Sequence, residues 1–366
     1  MDVKKEKRTK ETKNRRKREY CFIVLAIILF LALTIPSVLN RRDGNFEALD
    51  KCDQEVLKEL DYYLAVEGAR VMWKDYQLGG ETILAINKEA GHAFLINPEK
   101  PVHSFFAKEL RMPQECSIRA YRISNLAPQM LRFKLAGNFN TIGKEYKIFG
   151  NSVYFTKYDE SSVEALQSSR HYITFLCHEA FHYYMQDKWP EAGRFDTSVL
   201  DDEDLDLMEV EYKVLGEIYD ALEKGEKDKL FLLAKDYVEA VKARVKANKD
   251  YMKCELEAET CEGTANYVGK KASEAVGYEY KIMHVDASSK GKGVIEFPFD
   301  TVVPLIREGS LSTDAIASDL VYQTGCLLCE LLDALKVPDW QNRLNRQTLD
   351  KPVTLFMLLQ ECVEND

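Results

Sequence analysis

The sequence has no internal repeat, and it has no low-complexity tract outside a short charged segment at its N-terminus. Beyond that segment the chain also lacks a net positive charge. Residues 1–19 contain ten Lys or Arg and four Asp or Glu, a net charge of +6, and the chain total is −10, so the remaining residues carry −16. Proteins that bind nucleic acid need basic patches on their surface. We therefore expect no nucleic-acid partner.

The sequence also lacks an Asn-x-Ser/Thr sequon, so nothing in it suggests N-glycosylation. Nine cysteines are present, eight of them beyond residue 40, an even number that would permit disulfides in an exported protein. Several lie in apolar helical sequence, where a free cysteine acts as a small hydrophobic residue. The Cys326-x-x-Cys329 pair has no second pair to complete a metal site. The disulfide pattern therefore stays open.

One long hydrophobic run, from Tyr20 to Leu39, contains no charged residue. A helix of about 20 residues spans about 30 Å, the thickness of the bilayer hydrocarbon. The heavier basic cluster precedes the run, and the positive-inside rule then places the N-terminus in the cytoplasm and the body outside. We expect a single-pass signal anchor in the cell membrane. A cleaved signal peptide is the alternative, but the run is long and shows no small-x-small cleavage site.

Residue patterning after the run predicts an α+β fold. Short runs rich in β-branched and aromatic residues, separated by Gly, Asn and Pro, follow a first amphipathic helix. The chain then becomes helical to its end. We expect four segments: a basic cytoplasmic tail (1–19), a transmembrane anchor (20–39), a helix with a small sheet-rich part (40–158), and a mainly helical part that binds the metal (159–366).

The strongest chemical signal is the sequence His178-Glu179-Ala180-Phe181-His182, which lies within an apolar helical run. Residues four apart lie on one face of a helix, so both imidazoles can reach one Zn²⁺ ion. The glutamate beside the first histidine can then act as general base toward a water that the ion has acidified. The motif predicts one catalytic zinc per chain, with two histidine ligands and Glu179 as the base.

A catalytic zinc needs a third protein ligand and one open position. The later run from Glu262 to Tyr267, EGTANY, places a glutamate before Gly263, whose missing side chain lets a helix pack closely against another backbone. These two motifs resemble the glutamate-zincin (gluzincin) branch of HExxH metallopeptidases, which contains thermolysin and the membrane-alanyl-aminopeptidase-like enzymes. In that group a later helix supplies a glutamate ligand in an N-E-G-x-A-x-Y-like context.

The resemblance implies a zincin-like catalytic body, peptide-bond hydrolysis, and Glu262 as the third zinc ligand. It covers only about 40 residues, and Glu262 follows His182 by 80 positions, a longer spacing than in the best-known members. Glu259, one turn earlier, is the alternative ligand, and Glu209 and Glu211 are minor candidates. The metzincin pattern is absent, since no histidine closely follows the second one.

Supporting roles are assigned by residue type and order. Asn266, or Glu259, is expected to accept a hydrogen bond from a ligand histidine. The developing oxyanion needs a donor, for which Tyr322 and His284 are candidates. The predicted strand 150–158 lies just before the metal-binding helix in the sequence. An exposed edge of this strand would pair with an extended peptide substrate.

The acidic run Asp201-Asp202-Glu203-Asp204 lacks the spacing of a calcium loop. Asp204 or a neighbour is instead expected to cap the following helix, because carboxylates favour helix N-termini.

Three functions fit these patterns. The first is a membrane-anchored zinc metallopeptidase acting on a peptide or protein substrate. The second is a cell-surface binding or sensory module on a metallopeptidase-like fold, for which Cys177 or Cys261 would have to close the zinc site. Neighbours on a helix point about 100° apart, which argues against that closure. The third is a zinc amidase acting on a non-peptide substrate.

Overall fold

The computed structural model describes residues 17–32, 34–35, 44–67, 70–164, 169–190, 195–286 and 294–365, without the side chains of 285, 286, 294 and 295. These residues form two compact units. The sheet unit comprises residues 1–54, 82–138 and 146–157, and the helical unit comprises residues 55–81, 139–145 and 158–366. The predicted α+β class is therefore found, with strands and helices largely in separate units.

The predicted transmembrane helix over residues 20–39 is wrong. Within the part of the chain that the structure describes, every helix is too short or too polar to cross a bilayer. Residues 17–32 and 34–35 in this region are helical, and the helix includes charged residues at its start. The predicted signal anchor and the single-pass location in the cell membrane are therefore wrong as well. Residues 33 and 36–39, and most of the basic tail (1–16), lie outside the described residues.

The strands and helices have the following bounds. The strands are β1 (Ile83–Asn87), β2 (Ala93–Ile96), β3 (Ala107–Glu109), β4 (Ala120–Ile123), β5 (Tyr146–Ile148), β6 (Asn151–Tyr158), β7 (His284–Asp286) and β8 (Val294–Glu296). The helices after residue 44 are α1 (Lys51–Glu67), α2 (Met130–Leu135), α3 (Ser161–Glu164), α4 (Tyr172–Met185), α5 (Asp202–Glu223), α6 (Lys227–Ala247), α7 (Lys249–Ala275), α8 (Val302–Arg307), α9 (Val321–Ala334), α10 (Trp340–Asn345) and α11 (Leu355–Glu364).

The sheet unit is built on one six-stranded sheet in the order β3-β4-β2-β1-β6-β5. Its central strands β1 and β2 pair antiparallel, with Leu84 opposite Leu95, and every residue of both strands is buried. Leu84 and Leu95 belong to a hydrophobic cluster that Phe133 of α2 and Phe155 of β6 complete. Burial of these apolar side chains stabilises the sheet.

Strand β6 is not a free edge, contrary to the reading that made residues 150–158 a binding edge for peptide. It lies between β1 and β5 in the sheet. Its first residues pair with β5, with Val153 opposite Tyr146, and farther along Lys157 donates its backbone N–H to the carbonyl of Asn138 at 2.8 Å. Because these backbone groups are already bonded, strand addition at β6 has no support in this fold.

The helical unit is dominated by long helices with clear end signals. Helix α5 begins at an N-cap, Asp201, whose side chain accepts from the backbone N–H groups of Glu203 and Asp204. The Asp204 carboxylate accepts in return from the N–H of Asp201 and completes a capping box. The acidic run thus serves the capping role expected from the sequence, with Asp201 as the cap itself.

Helix α7 crosses α9 at a contact between two glycines. A Cβ added to Gly263 would lie 2.3 Å from the Cα of Gly325, and one added to Gly325 would lie 2.2 Å from the carbonyl oxygen of Glu259. Any side chain here would collide with backbone. Two turns along α7, a Cβ on Gly269 would lie 2.9 Å from the carbonyl oxygen of Thr174 in α4. Glycines therefore set how closely α7 approaches both α9 and α4.

We predict that Gly263→Ala lowers the free energy of unfolding by about 3 kcal/mol or more, because the methyl group must push two backbones apart. The matched control is Gly216→Ala in α5, where a Cβ meets only Phe299 at an ordinary 3.9 Å. There alanine should stabilise by up to about 1 kcal/mol through its helix propensity. Urea unfolding measures both, and equal midpoints for Gly263→Ala and the wild type would show that the crossing tolerates a side chain.

Candidate metal centre

Helix α4 carries the candidate ligands His178 and His182 on its least buried face, while the opposite face of the helix is buried. Ile173, Leu176, Cys177, Ala180 and Phe181 are fully buried, at the spacing of an amphipathic helix. Trp73, Tyr76 and Trp189 surround the Phe181 ring in edge-to-face contacts, which hold the helix in place. The motif residues between these positions face a cleft on the other side.

The structure brings His178 and His182 of α4 together with Glu262 of α7. The two Nε2 atoms lie 3.0 Å apart, and the Glu262 Oε2 atom lies 3.1 Å from the Nε2 of His182 and 3.5 Å from that of His178. Each side chain is 13 to 19% exposed. Among the described residues, this is the one group of three or more metal-ligating side chains whose ligand atoms lie within 4.8 Å of one another.

These spacings fit a tetrahedral zinc site. Ligand atoms at about 2.0–2.1 Å from a central ion lie about 3.3–3.4 Å from one another in a tetrahedron. The three measured separations, 3.0, 3.1 and 3.5 Å, bracket that value. Two imidazole nitrogens and one carboxylate oxygen also match the ligand preference of zinc and leave a fourth position for solvent.

Gln186, which the sequence analysis missed, fixes the orientation of His182. Its side-chain amide donates to the carbonyl of Cys261 and to the hydroxyl of Thr264, both at 2.9 Å, so its oxygen must face His182. That oxygen lies 2.6 Å from the Nδ1 of His182, which must therefore carry a proton. The Nε2 atom is then the one directed at the metal position. The sequence signal was available, since Gln186 lies one helical turn after His182.

The ionisation of Glu262 suits a ligand. Burial by itself would raise the pKa of this carboxyl, but hydrogen bonds and charge from His178 and His182 outweigh it and hold the pKa well below the usual range. Glu179 differs, because burial is the main influence and raises its pKa. An anionic carboxylate favours a cation, whereas a raised pKa suits a carboxyl that exchanges protons.

Tyr322 lies in the same cleft, as the sequence allowed. It follows a π-helical turn, Ile316–Leu320, of a kind that is frequent at functional sites. Its ring stacks on His178 with centroids 5.7 Å apart and planes at 11°, and its hydroxyl lies near the Glu262 carboxylate. Burial, together with the Glu262 charge, raises the pKa of Tyr322, so the hydroxyl keeps its proton for donation.

Asn266 makes its side-chain hydrogen bonds to groups other than the two histidines. Its amide nitrogen donates to the backbone carbonyl of Tyr322 at 3.1 Å, and its oxygen accepts from the Tyr280 hydroxyl at 3.2 Å. The residue therefore helps to place Tyr322 and leaves the histidine support to Gln186. His284 is also elsewhere: its Nδ1 donates to the carbonyl of Ile282, and its side chain does not line the cleft around the triad.

The alternative acidic ligands have other partners. Glu211 forms a buried ion pair with Arg244, which also binds Glu255. Glu209 lies on the protein surface, 4.0 Å from the Arg307 guanidinium. Glu259 is buried beside Thr324, outside the group of metal-ligating atoms.

Neither cysteine beside a ligand closes the site. Cys177 is fully buried and hydrogen-bonds to Tyr63 on the core side of α4. The Cys261 Sγ atom lies 2.9 Å from the side-chain oxygen of Gln186 and 3.9 Å from the Nδ1 of His182, the ring nitrogen that faces away from the metal position. None of the nine cysteines, each of which lies among the described residues, forms a disulfide.

We predict that Gln186→Ala weakens zinc binding by about 10- to 100-fold, because the His182 ring loses the acceptor that fixes its tautomer. The measurement is a competitive titration against a chromophoric chelator. Gln114→Ala, an exposed change in the sheet unit, is the control and should bind zinc as the wild type does. Unchanged affinity in a Gln186→Ala protein that melts like the wild type would remove Gln186 from the metal centre.

Comparison with known proteins adds nothing to this geometry. Models of protein families, curated proteins and solved structures all fail to match the chain. The resemblance of the two motif helices to gluzincins thus stays a prediction, and the function of the site must be inferred from its own chemistry.

Proposed function

We propose that the protein is a zinc-dependent hydrolase of peptide bonds. The observation that carries this proposal is the convergence of His178, His182 and Glu262 beside a fourth group, Glu179, that is not one of the three ligand side chains. A purely structural zinc site has no use for a buried carboxyl at that position. The surrounding cleft has a volume of about 600 Å³ and is open to solvent, so substrate has access.

His178, His182 and Glu262 would hold the ion. When bound, zinc would act as a Lewis acid and make a coordinated water acidic near neutral pH. Glu179 would accept the proton of the attacking water and deliver it to the leaving amine, so that one carboxyl serves as base and then as acid. Burial raises the pKa of Glu179, which brings it closer to the pH at which the enzyme works. A carboxyl with such a pKa both accepts and releases a proton efficiently.

Tyr322 would donate a hydrogen bond from its hydroxyl to the oxyanion that develops as the carbonyl is attacked. The residue is held for this purpose from two sides, by the ring of His178 and by the backbone contact with Asn266. A donor fixed before reaction stabilises the developing charge without reorganisation. His284 has no part in this scheme because it does not line the cleft.

A binding or sensory module with a closed zinc site has no observation in its favour. Its fourth ligand would have to be Cys261, whose sulfur lies nearest to the wrong nitrogen of His182. A zinc amidase acting on a non-peptide amide would use the same groups, and substrate trials separate it from a peptidase.

We predict that Glu179→Gln keeps about one zinc per chain but lowers peptide hydrolysis by at least about 100-fold, because the ligands remain and the base is lost. Metal content is measured by elemental analysis, and cleavage by mass spectrometry of a diverse peptide library. Glu239→Gln, an exposed change in α6, controls for the altered charge and should leave both unchanged. His182→Ala should lose the metal together with activity.

The decisive outcome is the behaviour of the zinc-loaded wild type. If it holds stoichiometric zinc and cleaves no peptide in the library, peptide hydrolysis is contradicted. Cleavage of non-peptide amides under those conditions would favour the amidase instead.

A further inference from the structure

The cleft around the triad carries an uneven charge. Its charged carboxyl side chains are Glu179, Asp187 and Glu262, and no Lys or Arg is found among the described residues that line it. The neighbouring Lys188 does not line the cleft. Asp187 differs from the two glutamates because it is exposed and takes no part in the metal group.

Metal binding would neutralise the two glutamates but not Asp187. A divalent cation bound by neutral imidazoles balances one negative charge on Glu262 and one on Glu179. Among the described residues that line the cleft, no Lys or Arg balances the remaining carboxylate of Asp187. A low-dielectric cleft lined by charge of one sign attracts ligands of the opposite sign. The group that fits beside Asp187 is therefore a cation.

The rest of the wall is largely apolar. Phe139, Ile142, Trp189 and Pro190 line the cleft. Phe139 is anchored by an edge-to-face contact with Phe175 of α4, with ring centroids 5.7 Å apart, while the Ile142 side chain is 46% exposed. An exposed aliphatic side chain beside aromatic rings gains by covering a bulky apolar group of a ligand.

We propose that the site selects peptides in which a positively charged group lies close to a bulky apolar side chain, and that Asp187 is the residue that determines the preference for the charge. This inference rests on the proposed peptidase function. The cation is either a Lys or Arg side chain or a free peptide N-terminus, since each of these groups offers a positive charge and N–H donors to the same carboxylate.

The test uses internally quenched hexapeptides centred on Phe. Lys, Gln or Glu is placed in turn at each flanking position, and each peptide is made with a free and with an acetylated N-terminus. For the zinc-loaded wild type we expect kcat/KM to be about three- to tenfold higher with Lys than with Glu at the best position, in the range of exposed charge pairs. The preference should shrink as salt rises from about 20 mM to about 500 mM.

The variant Asp187→Lys should reverse the order of the Lys and Glu peptides, and Asp187→Asn should bring their values together. Asp236→Asn, which removes an exposed acid from α6, is the matched control and should preserve the wild-type ratio. Binding gives an independent measurement: zinc-loaded Glu179→Gln is titrated with the same peptides, and Trp189 in the cleft wall provides a fluorescence signal. The double variant with Asp187→Lys should reverse the order of the dissociation constants.

Comparison of free and acetylated peptides distinguishes the two sources of the cation. The Asp187 variants test the charge preference separately from peptide hydrolysis itself. Loss of the preference on acetylation assigns the charge to the N-terminus, and its persistence assigns it to the side chain. If peptides are cleaved without regard to charge, or Asp187→Lys keeps the wild-type order, the role of Asp187 is refuted while the peptidase proposal stands. If the zinc-loaded wild type cleaves none of the peptides and the Glu179→Gln protein binds none, both are refuted.

Discussion

The contact of α7 with α9 at Gly263 and Gly325 is the constraint on which the candidate metal centre depends. With no side chain at either position, the two backbones lie close enough for Glu262, the residue before Gly263, and Tyr322, one turn before Gly325, to share one cleft. The approach of Gly269 to Thr174 brings the same helix against α4, which carries both histidines. A metal site needs its ligands within a few tenths of an ångström of their places, and backbone-to-backbone contacts are stiff enough to hold them.

Three glutamates of helix α7, Glu255, Glu259 and Glu262, lie in three different electrostatic environments. Glu255 is paired with Arg244 at 2.6 Å. Burial, reinforced by the charge of Glu211, raises the pKa of Glu259 to about 8, so that carboxyl is mostly neutral near pH 7. Glu262 alone faces two imidazoles and stays ionised. Sequence position does not distinguish these residues, and the neighbouring helices decide which one can hold a cation.

The part of the site that follows from local geometry could be predicted from the sequence. Two histidines four apart on a helix must share a face, and the glycine after Glu262 indicated a close helix contact, which the structure contains. Gln186 lies one turn after His182 and could have been found by the same rule. The partner of Asn266 and the distant position of His284 depend on how α7, α9 and the segment after α7 pack, and no local pattern encodes that packing.

The longer-range errors have physical causes as well. A charge-free run of 20 residues satisfies the hydropathy criterion for a membrane span, but no helix among the described residues is long and apolar enough to cross a bilayer. Strand β6 has the composition of any strand, and its inner place in the sheet is set by pairing with β1 and β5. Register and neighbours in a sheet are tertiary properties, which is why edge and interior strands are hard to tell apart in sequence.

X-ray absorption at the zinc edge of the zinc-loaded protein tests the central claim, that two imidazoles and one carboxylate share an ion with solvent. The account predicts a first shell of nitrogen and oxygen at about 2.0–2.1 Å, with the outer-shell scattering of two imidazole rings. A sulfur neighbour at about 2.3 Å, or the scattering of fewer than two imidazoles, would contradict it.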